Sequence, residues 1–154
     1  LTYTVAQNQG CSNAPKAMLN LKMNEFYKGI WYETHMKDAQ SAICREYTFQ
    51  LLQSGILLTY EGQGSVDKKP YNVTCSSKEK QVNPSGPVHF RCDQAYKGGL
   101  TNSVKHLFFT LIWTVIDTNY GDYALAHRCM KYDEDSFFAG AYILLQRDKK
   151  ANGS

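Results

Sequence analysis

Asn24-Glu25-Phe26-Tyr27-Lys28-Gly29-Ile30-Trp31-Tyr32 is the stretch that decides the fold. It closes a short helical or 3₁₀ segment and opens a strand. Gly29 gives the backbone freedom to turn sharply, and Trp31 puts a large apolar anchor at the first inward position of the strand. Alone, a Gly-x-Trp carries little weight, because any strand can begin that way. Two distant segments add to it. Ile116-Asp117-Thr118-Asn119-Tyr120 reads as a strand running into a tight turn, and Leu145-Gln146-Arg147 ends the last apolar strand.

Between these segments the chain reads as successive β-runs without an internal helix of convincing length. The pattern predicts strands over 29–37, 44–53, 55–63, 70–77, 86–93, 104–117, 122–131 and 138–147. Clusters of Gly, Pro, Asn and Ser separate them, as at Gln53-Ser54-Gly55, Asn83-Pro84-Ser85-Gly86 and Tyr120-Gly121-Asp122. Eight short strands at even spacing indicate an up-and-down barrel or a sandwich. The strand at 104–117 alternates most clearly: Leu107, Phe109, Leu111, Trp113 and Val115 share one face, and His106, Thr110 and Thr114 the other. The same rule groups Trp31 with Glu33 and His35, and Ala124 with Ala126, Arg128 and Met130. If that second set points inward, Arg128 faces an apolar interior, in a barrel with room for one small ligand; the alternative is an Arg128 that points outward.

Composition bounds the rest. A chain of 154 residues, 43% apolar and 20% charged, is one domain able to bury its own core. The 13% aromatic content, with eleven Tyr, suits a β-rich protein with a lined cavity. A net charge of +3 is too small and too scattered for a nucleic-acid partner, and no apolar run is long enough to cross a membrane. Leu1-Thr2-Tyr3-Thr4-Val5-Ala6 reads as the end of a secretory signal peptide, with Thr4 and Ala6 as its small residues and a single domain over 7–154. Cys11, Cys44, Cys75, Cys92 and Cys129 form no Cys-x-x-Cys, so disulfides and secretion are expected rather than a metal. Asn72-Val73-Thr74 and Asn152-Gly153-Ser154 are short glycosylation sequons. With four His and no Gly-x-Ser-x-Gly, the chain offers no catalytic constellation, and no enzyme activity is expected.

Gly29-Ile30-Trp31, the turn at Asn119-Tyr120 and Arg147, in this order, resemble the three signature regions of the lipocalins. In that family they meet at the closed end of an eight-stranded antiparallel barrel, with the Arg stacked on the Trp. Asn119 stands where the family usually has Asp. From Cys11 to Arg147, with Cys11-Ser12 leading into Glu25–Tyr32 and Asn119–Leu125 preceding Cys129, the chain is similar to the triabin-type salivary lipocalins of blood-feeding triatomine bugs. That group includes the pallidipin-like proteins and, more distantly, the nitrophorins.

The resemblance implies a fold, a disulfide map and a function. Cys11 would pair with Cys129 and Cys75 with Cys92; Cys44 would normally pair with a Cys in a C-terminal tail, so here either that tail is missing or Cys44 is a free thiol. Nitrophorins take haem on a His from the strand after the second hairpin; Gly55–Gly62 holds none, so no haem or other cofactor is expected. The implied protein is a monomeric, secreted anti-haemostatic factor. It would sequester a small hydrophobic mediator of thromboxane or prostaglandin type and so inhibit platelet aggregation. Its ligand set would be Glu33, His35, Leu107, Phe109, Leu111, Trp113, Arg128 and Met130. Arg128 would pair with a carboxylate, whereas an inward Glu33 would suit a cationic amine. Gly29, Trp31, Tyr120 and Arg147 would be structural. The alternative is an inhibitor of thrombin, contact-phase factors or a platelet receptor, acting through loops such as 38–43, 64–69 and 94–103 or the outer surface.

Overall fold

The computed structural model describes residues 11, 15–36, 45–64, 68–97, 103–133 and 138–149. The segment 1–6, Cys44 and the loop 38–43 lie outside them. Eight strands follow one short helix: α1 (Met23–Phe26), β1 (Lys28–Met36), β2 (Arg45–Leu52), β3 (Gly55–Gln63), β4 (Pro70–Ser77), β5 (Val88–Lys97), β6 (Val104–Thr118), β7 (Tyr123–Tyr132) and β8 (Phe138–Gln146). Each pairs antiparallel with its neighbour, and β8 returns to β1, so the sheet closes into an up-and-down barrel with no free edge. β5 begins two residues later than the alternation predicts and runs on to Lys97, because the polar Gln94-Ala95-Tyr96-Lys97 keeps its register against β6. Part of the expected loop 94–103 is therefore strand.

Period-2 alternation produces the core. On β2, Arg45, Tyr47 and Phe49 point inward between exposed Glu46, Thr48 and Gln50. On β6, Phe109, Leu111, Trp113 and Val115 are buried, with Leu107 half-buried at the end of the row. The lower barrel is filled with rings. Phe26 stacks on Trp31 at 5.1 Å and meets Phe49 at 6.0 Å, while Trp113 lies 5.5 Å from both Phe49 and Tyr47. Burial of aromatic side chains on this scale is the largest stabilising term in the fold, each worth roughly 2–3 kcal/mol.

The chain seals one end of the barrel with its N-terminal segment. Met18 N–H donates to Val115 O at 2.9 Å, Leu21 N–H to Pro84 O at 3.0 Å, and Lys22 N–H to the Tyr120 hydroxyl at 3.1 Å. The one-turn α1 then drops Phe26 into the core, and Trp31 Nε1–H donates to its carbonyl at 3.0 Å. Gly29, at φ +65°, makes the turn from α1 into β1 in a conformation that costs a side-chain-bearing residue strain. Arg147 locks this end. Its guanidinium lies 3.7 Å from the Trp31 ring centre, and all five of its N–H donors go to carbonyls. Nε donates to Tyr120, Nη1 to Lys28 and Ile30, and Nη2 to Glu25 and Phe26, at 2.7–3.1 Å.

The turn after β6 works through Asn119. Its Oδ1 accepts from the N–H groups of Asp122 and Tyr123 at 3.0 and 2.9 Å, and its Nδ2 donates to Asp122 Oδ2 at 3.0 Å. Tyr120 sits at φ +68° beneath it. Two disulfides complete the frame. Cys11–Cys129 ties the N-terminal segment to the outer face of β7, and Cys75–Cys92 joins β4 to β5 across the interior wall.

Candidate ligand-binding site

Above the aromatic floor the inward side chains change character. Glu33 on β1 stands opposite Arg45 on β2, and both are buried, at 1% and 8% exposure. The Tyr47 hydroxyl, one inward step below Arg45, donates to Glu33 Oε2 at 2.6 Å and accepts from Arg128 Nη1 at 3.3 Å. Arg128 is carried inward by β7, where it pairs in register with Trp113 of β6. The Arg45 guanidinium lies 4.8 Å from the Tyr60 ring centre, and its Nη2 donates to the Tyr71 hydroxyl at 3.4 Å. The far wall continues the polar belt: Tyr132 donates to Gln94 Oε1 at 3.1 Å, Gln94 Nε2 donates to the Tyr96 hydroxyl, and the Tyr71 and Tyr96 rings lie 5.3 Å apart.

A glycine positions one of these hydroxyls. A Cβ at Gly62 would stand 2.4 Å from the Tyr71 ring, so only glycine there lets that ring cross β3 and bring its hydroxyl to Arg45.

Electrostatics follow from this crowding. Burial opposes charge on Arg45 and Arg128, but nearby Tyr47 and Glu33 more than offset it, and both guanidiniums are held protonated more firmly than in water. Burial pushes the Tyr47 phenol up to about 12 against the pull of Arg128, and likewise raises Tyr60. Tyr132 rises to about 12 by burial, with Tyr71 and Tyr96 adding to it. Among the described residues, the chamber thus carries two guanidiniums, one carboxyl group and a ring of phenols, of which Tyr47, Tyr60 and Tyr132 stay neutral below about pH 10.

The residues expected from the sequence fall into three groups. Glu33 and Arg128 are joined through Tyr47, while Phe109, Leu111 and Trp113 are buried beside and below them, with Leu107 and Met130 half-buried on the same inward row. Gly29, Trp31, Tyr120 and Arg147 assemble at the sealed end, away from the chamber. The third group is His35. A bulge between Glu33 and His35 sets His35 opposite Leu144 rather than Ile143, and the His35 side chain lies outside the described residues. His127 meets Tyr142 edge-on at 4.8 Å on the outer wall of β7 and β8, where burial lowers its pKa. Arg45, Tyr47, Tyr60, Tyr71, Gln94 and Tyr132 were not singled out; extending the alternation of Phe49 back along β2 places Arg45 and Tyr47 inside.

A separate concavity of about 690 Å³ lies on the outer wall of β2–β4, lined by outward residues such as Glu46, Thr48, Thr59, Glu61, Asn72 and Thr74. Asn72 of the sequon is exposed there, and none of the buried charged groups except Arg45 borders it. Among the described residues no cluster of three His, Cys, Asp or Glu side chains is placed to hold a metal ion, and no helix is long and apolar enough to cross a membrane.

A sealed eight-stranded barrel with Arg147 on Trp31 and a bridge from Cys11 to Cys129 is joined by a match of residues 3–153 to the family profile described as Triabin. The chain belongs to the triabin family. Triafestin-1 of Triatoma infestans is 31% identical to this triabin-family chain over 139 residues, 86% of this chain and 65% of the relative. Triafestin-2 of the same insect is 30% identical over 146 residues, 91% and 68%. The chain thus spans about two thirds of the length of these curated relatives. A mutant of LTBP1 in complex with leukotriene C4 superposes with a TM-score of 0.64 at 26% identity, over 88% of this chain and 76% of that one. The amine binding protein of Rhodnius prolixus, solved with tryptamine, gives 0.65 at 20% identity over 92% and 72%, a likeness of fold.

Proposed function

We propose that this triabin-family barrel is a secreted salivary binding protein that holds one anionic amphiphile of eicosanoid type. It acts by stoichiometric sequestration, withdrawing a mediator of platelet aggregation or vessel tone. The observation that carries the reading is the pair of guanidiniums, Arg45 and Arg128, turned into the same part of the barrel interior among buried phenols, above an apolar floor. A carboxylate entering such a chamber meets charge-assisted donors where water is scarce, which strengthens each bond. Its hydrocarbon chain finds Leu107, Phe109, Leu111, Trp113 and Met130 on the adjoining wall. The leukotriene C4 complex of LTBP1, at 26% identity, supports a fatty-acid-derived ligand.

Calorimetry against a thromboxane mimic, prostaglandins, leukotrienes, serotonin, histamine and ADP tests the reading. One-to-one, submicromolar binding of an eicosanoid is expected, weakened by Arg128→Ala and by Arg45→Ala. Binding of amines alone would overturn it.

A second reading, inhibition of a host haemostatic protein, is favoured by one feature of the outer wall. Exposed Phe108 on β6 lies between Arg91 at 5.8 Å and a stacked His106 at 6.0 Å, the kind of aromatic anchor that protein partners bury. Silence across the ligand panel together with prolonged clotting, lost on Phe108→Ala, would establish it in place of the first. The loop 38–43 and residues 65–67 and 98–102 lie outside the described residues.

A further inference from the structure

Three buried polar atoms of the chamber have no hydrogen-bond partner among the described residues: Arg45 Nε, Trp113 Nε1 and Glu33 Oε1. Buried polar groups are almost always paired, because one left alone has given up its hydration without a replacement bond. Two of the three are N–H donors, and the oxygens of an acidic ligand answer them. Glu33 is different in kind. Its Oε2 is taken by the Tyr47 hydroxyl at 2.6 Å, while Oε1 is an acceptor that a ligand carboxylate cannot satisfy. Neither is it a spectator in a salt bridge on the surface, since the side chain is 1% exposed. It stands opposite Arg45 in the β1–β2 register and shares the Tyr47 hydroxyl with Arg128, so the acceptor adjoins the cationic pair.

We propose that Glu33 is the specificity-determining residue of the chamber, accepting a hydrogen bond at Oε1 from a hydroxyl or ammonium group on the ligand. The inference rests on the carboxylate-binding reading above and narrows it. The ligand is a fatty-acid derivative that carries a donor as well as its acid, and the two are read by neighbouring groups of one cluster. A plain fatty acid leaves Oε1 unpaired and brings a negative charge towards it. A site built around such a bond discriminates strongly against the analogue that lacks the donor.

The test compares arachidonate, a set of monohydroxylated derivatives with the hydroxyl at different carbons, and leukotriene C4. Each is titrated calorimetrically into the wild-type protein and into Glu33→Gln, with circular dichroism checking that the variant folds. At least one donor-bearing acid should bind about tenfold or more tightly than arachidonate. Glu33→Gln should bring that ratio close to one while arachidonate still binds, because the amide turns an N–H towards the ligand in place of a lone pair. Equal wild-type affinities for plain and donor-bearing acids would overturn the role of Glu33 and leave the carboxylate reading standing. No binding of any acid would overturn both. If Glu33→Gln does not fold, the wild-type ratio alone decides.

Discussion

Asn119 and Arg147 show how single atoms decide between near-identical side chains. Most lipocalins carry Asp where this chain has Asn119, yet here the amide nitrogen donates to Asp122 Oδ2. Asn119→Asp would turn that bond into two facing carboxylates while keeping the Oδ1 bonds to the turn. A loss of about 1–2 kcal/mol at neutral pH is expected, measured by urea unfolding. Arg147 is a harder case for substitution, since five donors meet five carbonyls. Lysine offers one ammonium and no planar face for Trp31, so Arg147→Lys should cost about 2–4 kcal/mol and lower the thermal midpoint. The buried phenols set a limit at alkaline pH. Tyr47 and Tyr132 rise from 10.0 to about 12, so between these values the unfolded chain has released protons that the folded one retains. Their contribution is whole below about pH 10 and is lost as pH rises towards 12, at about 1.4 kcal/mol per pH unit for each phenol. Urea midpoints should fall across that window while the phenolate absorbance of the folded protein lags behind that of free tyrosine.

Strands reveal how far alternation carries a reading. β6 was legible because five apolar residues alternate without a break, and β7 because Ala124 and Ala126 set the parity that takes Arg128 inside. Two bulges escape such counting, between Glu33 and His35 and between Val115 and Asp117, because an inserted residue leaves no mark in composition. The polar end of β5 escaped for the opposite reason: its Gln and Tyr turn inward to bond one another and Tyr132, yet by residue type they resemble loop. Thus the fold and the sealed end were readable, whereas half the chamber was not, since its phenols and Arg45 look like surface residues until the barrel closes around them. The two disulfides brace elements of different reach. Cys75–Cys92 spans 17 residues between adjacent strands, and Cys11–Cys129 spans 118 and holds the N-terminal segment on β7. On chain-entropy grounds, replacing both cysteines of the first by Ala should cost about 3 kcal/mol, and of the second about 4–5 kcal/mol. Comparing the urea midpoints of the two double variants checks the order.

For the whole molecule, closure between β1 and β8 joins strands from opposite ends of the sequence, so the barrel is complete only after nearly all the chain is in place. Closure also leaves no strand edge open to another chain. The plug of Phe26, Trp31 and Arg147 closes one end of the barrel, so a ligand of the proposed kind would enter and leave by the other. Whatever enters must leave by reversing the path it took, so one rim governs both arrival and escape. A change confined to that rim would then speed or slow the two steps together and leave the balance between them to the chamber below. If the barrel binds as proposed, retention time and affinity would be set by separate parts of the chain.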